Sequence, residues 1–118
     1  MINNKHGMKM KIEFLVQGSA VEPYKVTFQR TEQHLSAFCT CPAGINGQYC
    51  KHRFSILRGG IEGIVSNNLS EVKIVVDLLV GTDIEYALIE MEQAEIDAER
   101  TKKVLAVAKK KIATLMRS

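Results

Sequence analysis

All three cysteines of this 118-residue chain fall inside one fourteen-residue stretch, CTCPAGINGQYCKH. Cys39 and Cys41 are followed, across eight residues, by Cys50 and His52. No other feature restricts the fold as strongly. Three thiolates and one imidazole are a complete ligand set for tetrahedral zinc, and structural zinc sites close all four positions with protein ligands. An odd cysteine count argues against a disulfide framework. Pro42, Gly44, Asn46 and Gly47 give the intervening segment the composition of a turn-rich loop rather than of a core. On an extended strand, residues i and i+2 share a face, so Cys39 and Cys41 point the same way and Pro42 then bends the chain. On a helix the same spacing diverges by about 200°. Cys50 and His52 therefore converge on one ion only if Cys50 sits at the mouth of a helix and His52 lies in its first turn. Phe54, Ile56 and Leu57 supply the apolar positions of that helix, and Gly59 and Gly60 its stop.

The pattern Cys-x-Cys, loop, Cys-x-His, with strands before it and an apolar helical segment after it, resembles the SWIM zinc finger. All four ligand positions match, and the resemblance covers about residues 11 to 60. It implies a zinc-bound, non-enzymatic module that contacts DNA or other proteins. Fingers of this family occur in bacterial SWI/SNF-type ATPases, plant Mutator-type transposases, certain kinases with ubiquitin-ligase activity and recombination mediators. Residues 61 to 118 resemble no family.

Alternation places Ile12, Phe14 and Val16 on one face of a strand over 11–17, and Tyr24, Val26 and Phe28 on one face of a second over 24–29. A third strand, 34–39, delivers Cys39. The links are too short for a parallel crossover, so an antiparallel meander is expected. The run 72–80 is apolar enough for a helix or a strand, and Ser70 as an N-cap with Glu71 in the first turn favours helix. Thr82 and Glu85 have the spacing of a capping box. No glycine or proline follows before Met116, which predicts one long helix of about 50 Å. Ile84, Leu88, Met91, Ala94, Ala98, Leu105, Ala108, Ile112 and Leu115 suit an a/d seam interrupted at Glu95 and Lys102. A dimeric coiled coil and intramolecular packing, including a break near residue 100, both remain open. The expected class is α+β: a zinc-finger domain over 1–60, built as a small β-meander with a zinc-bound loop and short helix, then a helical extension over 61–118.

Charge is sorted along the chain. Residues 1–60 carry +5, residues 61–100 carry −8 and residues 101–118 carry +6. An acidic start and a basic end suit the dipole of a long helix. Lys51, Arg53 and Arg58 surround the ligand positions, where three thiolates and Zn2+ sum to −1. They either offset that charge or, with Lys109, Lys110 and Lys111, contact phosphates without reading sequence. Tyr49 or Phe54 offers one stacking contact. His6 and His34 read as solvated side chains. The glutamate and Cys-x-x-Cys pair of a zinc deaminase are absent, and no enzymatic role is expected. No apolar run reaches the length of a membrane helix, and the first residues lack the apolar stretch of a signal peptide. A cytoplasmic chain is therefore expected, and Met8 or Met10 as an alternative start would make the first residues a dispensable tail. Two readings follow: a nucleic-acid-binding zinc module acting on DNA, with a possible homodimer through the long helix, or a protein-interaction adaptor in which zinc is purely structural. Oxidation of the thiolates with ejection of zinc is a further possibility.

Overall fold

The structure, a computed structural model, describes residues 9–118. Residues 1–8, on which the expectations of a dispensable tail and a solvated His6 fall, lie outside the described residues. Contacts divide the chain into two compact units, one ending at Glu85 and the other spanning Tyr86–Ser118.

The first unit opens with three strands, β1 (Lys9–Val16), β2 (Tyr24–Thr31) and β3 (His34–Cys39), in the antiparallel order β1-β2-β3. The expected meander is present, with β1 starting two residues early and β2 ending two residues late. Alternation sets which face is buried: Ile12, Phe14, Val16, Val26, Phe28, Leu35 and Cys39 all lie inside. Ile12 pairs with Phe28, and Phe14 with Val26. The Phe14 and Phe28 rings meet edge to face, 6.1 Å apart. Register then carries the chemistry, because Val26 at the centre of the core is the cross-strand partner of Cys39.

Beyond Cys39 comes one helical turn, α1 (Pro42–Ile45), and then α2 (Lys51–Leu57). A 3-10 turn at Leu69–Glu71 leads into α3 (Val72–Leu79). The apolar run 72–80 is thus helical, as the sequence favoured. Ser70, however, lies inside the 3-10 turn, and the residue at the N-cap of α3 is Glu71, without a side-chain cap. The side chain that secures this corner is Asn68, which donates to the Glu13 carbonyl and to Glu71. α2 packs on β3 and on α3, burying Ile56, Leu57, Val72, Val75 and Leu79.

Two polar devices close the unit. Arg30 of β2 donates to the carbonyls of Leu78 and Val80, satisfying two carbonyls where α3 ends. Residues 63–65 run along the outer edge of β1, with Gln17 donating to Gly63 and Val65 donating to Leu15. That covers backbone groups an edge strand would otherwise leave open.

Helix α4 (Asp83–Met116) is one uninterrupted element of 34 residues, without the break near residue 100. Its start has the expected cap and back-reaching glutamate, although Glu85 accepts from the residue before Thr82 rather than from Thr82 itself. The Glu85 N–H donates to Thr82 Oγ1, and the Glu85 carboxylate reaches back to the Gly81 N–H. Thr82 is fully buried, and its hydroxyl donates to Leu79. His34 is not solitary: its Nδ1 lies 2.9 Å from Asp83, and that contact holds the exposed Asp83 carboxyl below its usual range. From Gln93 to Ser118 every residue is exposed. None of the helices is long and apolar enough to cross a membrane, among the described residues.

Candidate metal centre

The four candidate ligands come from three local structures. Cys39 ends β3, Cys41 is the N-cap of α1, Cys50 is the N-cap of α2, and His52 lies in the first turn of α2. The placement of Cys50 and His52 is the one their spacing demanded. Cys50 has extended dihedrals, φ −136° and ψ 115°, so its side chain leaves the helix axis at an angle no helical residue reaches. His52 then follows it toward the same point.

The ligand atoms of Cys39, Cys41, Cys50 and His52 all lie within 4.8 Å of one another. Cys41 Sγ and Cys50 Sγ are 3.4 Å apart, far beyond disulfide bonding, and the three cysteines are free and buried. His52 Nδ1 lies 3.8 Å from Cys39 Sγ and 3.7 Å from Cys50 Sγ. A tetrahedral ion with metal–sulfur bonds of about 2.3 Å has sulfur–sulfur edges of about 3.8 Å. The cluster is therefore already near the size of a tetrahedral coordination shell, and it could hold a metal ion.

The backbone is arranged for negative sulfur. The Cys41 N–H donates to Cys39 Sγ at 3.4 Å, and the Gly44 N–H donates to Cys41 Sγ at 3.3 Å. Burial works to raise the Cys50 thiol, but the Arg53 backbone N–H and its contacts with Cys41 and His52 outweigh it and bring the thiol down to about 6. Cys39 is pushed up to about 12, chiefly by burial and also by the neighbouring cysteines. The Cys50 thiolate thus forms readily, whereas a Cys39 thiolate beside it requires a cation.

Close packing fixes the geometry. A Cβ at Gly44 would collide with the Cys39 carbonyl and stand 2.8 Å from Cys39 Cβ, so only glycine lets α1 fold down on β3. The His52 ring leans on Tyr24, centroids 5.2 Å apart, and a Cβ at Gly18 would approach His52 Nε2 to 3.3 Å. Tyr24 and Gly18 therefore orient the imidazole with Nδ1 toward the sulfurs. From the sequence Tyr24 falls only on a strand face, because its role depends on a contact between β2 and α2.

The basic residues separate by environment. Arg53 donates to the Ala37 and Gln48 carbonyls, clamping the inter-ligand loop to β3, and its Nε is buried without a partner among the described residues. Lys51 is exposed in the first turn of α2, and Arg58 is the C-cap of that helix. Lys109, Lys110 and Lys111 are exposed on α4 in the second compact unit. The Tyr49 and Phe54 rings pack against one another at a tilt of 40°, centroids 4.4 Å apart. Comparison with protein-family models, with curated proteins and with solved structures gives no match to this chain.

Proposed function

We propose that the protein is a zinc-stabilised interaction module, in which Cys39, Cys41, Cys50 and His52 close a structural zinc site and α4 is the element that meets protein partners. Zinc suits a set of three thiolates and one imidazole at tetrahedral spacing. With all four positions taken by protein, the centre has no open position for water or substrate, so the proposal gives it no catalytic step. The ligand order resembles that of the SWIM finger, which adds weight to a binding role.

The observation that carries this reading is the exposure of α4. Ile96, Val104, Leu105, Val107, Ile112, Leu115 and Met116 are all exposed, each by more than half of its surface. Most helical stability in proteins comes from packing an apolar face, and exposed apolar surface of this extent marks an interaction site.

A second reading, a nucleic-acid-binding zinc module, has its own observation. The second half of α4 carries only basic charges, with Lys109, Lys110 and Lys111 adjacent and exposed, and Lys51 is exposed beside the ligands. Such surfaces neutralise phosphates and lose affinity steeply with salt. Titration of the zinc-loaded chain into labelled single- and double-stranded DNA across a salt series separates the two. The interaction reading expects no binding even at low salt. Binding that weakens steeply with salt, and whose slope falls when Lys109, Lys110 and Lys111 are neutralised, would replace it with the second.

A further inference from the structure

We infer that α4 pairs antiparallel with the α4 of a second copy of this chain. The inference rests on the proposed reading of α4 as an interaction element and names its partner. Stepping from Ile84 alternately by three and four residues, a single seam runs to Leu115 through the whole helix, and every position on it is apolar except Thr101. This is the a and d spacing of a coiled coil. From Ala94 onward the seam is exposed.

The seam is complementary to itself when reversed. Laying Asp83 of one helix against Met116 of the other sets Ala87 opposite Ile112, Met91 opposite Ala108 and Ala94 opposite Leu105. Each of these contacts matches a small side chain with a large one, which is the size alternation that close helix packing needs. At the centre Ala98 meets Thr101, and at the ends Ile84 meets Leu115.

Charge selects the same arrangement. Between Asp83 and Glu99 the helix holds seven acids and no base, and between Arg100 and Arg117 seven bases and no acid. The reversal falls halfway along the 34 residues. An antiparallel pair therefore lays each acidic half along a basic half, and opposes the two helix dipoles. A parallel pair would lay acid on acid and base on base. Flanking the antiparallel seam, Glu90 faces Lys111 of the second copy and Glu95 faces Lys102 of the second copy, in the positions where coiled coils set partner choice and orientation.

The test uses the full zinc-loaded chain and measures mass in solution by sedimentation over a wide concentration range. A dimer is expected, and Leu105→Glu, an exposed change, should give monomer with zinc content unchanged. Orientation is read from two double variants, Glu90→Lys with Glu95→Lys, and Lys102→Glu with Lys111→Glu. Each alone should weaken the dimer about tenfold or more, about 1.4 kcal/mol, and an equimolar mixture should restore it as a heterodimer. In a parallel pair Glu90 would face Glu95, so the first double variant would dimerise as well as the parent; that result overturns the antiparallel arrangement. A dimer that survives Leu105→Glu overturns the seam. A parent chain that stays monomeric at every concentration overturns self-pairing altogether, while the interaction reading, which the DNA titration tests, would stand with a different protein as partner.

Discussion

At the level of single residues, the centre is governed by how three sulfurs come to share one small volume. Burial pushes the Cys39 thiol up to about 12, whereas at Cys50 the Arg53 backbone N–H and the contacts with Cys41 and His52 overcome burial and bring the thiol to about 6. A bound cation reverses the sign for Cys39, since coordination requires its thiolate. Near neutral pH, zinc binding should therefore release the Cys39 proton, and affinity should fall as pH falls, more steeply once Cys50 is also protonated below about 6. Calorimetry in buffers of different ionisation enthalpy reads this directly, and binding without proton release would contradict it. Gly44→Ala should destabilise the loaded protein by about 1–3 kcal/mol, because α1 or β3 must move away from a Cβ. A thermal melt combined with chelator competition checks both stability and affinity. Arg53→Ala removes two carbonyl partners from the loop and β3, and should lower stability by about 1–3 kcal/mol, against the small change expected of a surface cation.

Among the elements, local patterns foretold what local physics controls. Alternating apolar residues set the inner faces of β1 and β2, and the Thr82 cap with the back-reaching Glu85 opens α4. Thr82→Ala should cost about 1–2 kcal/mol, because it removes the side-chain cap on the Glu85 N–H and the buried hydroxyl bond to Leu79; denaturant unfolding measures it. What the sequence concealed depends on residues far apart in the chain. The clamp of Arg30 on the end of α3, the pairing of His34 with Asp83 and the run of 63–65 along β1 have no local signature. Ser70 before Glu71 has the local signature of a cap, but the corner is held by Asn68 reaching back to β1. The helical period of α4 was legible in the sequence, and it admits more than one phase. Reading it through Leu88, Glu95 and Lys102 inserts charges that the neighbouring phase, through Ala87, Ala94, Ala98 and Thr101, avoids.

For the whole molecule, a metal ion held by Cys39, Cys41, Cys50 and His52 would explain how a three-stranded sheet with short helices holds together. A core of this size is marginal on its own, whereas structural zinc contributes on the order of 10 kcal/mol in small finger peptides. The group that could hold a metal was legible because its spacing is a geometric requirement that the sequence states outright. Its supports, Gly44, Gly18 and Tyr24, were not, since each acts only after strands and helices have met. The most direct check is the zinc content of the purified chain, measured beside Cys50→Ser and followed by unfolding with and without chelator. One zinc per chain is expected, with loss of both the ion and the cooperative transition in Cys50→Ser and in the chelated parent. A parent chain that carries no metal and still unfolds cooperatively, or a Cys50→Ser chain that keeps a full zinc, would contradict the account.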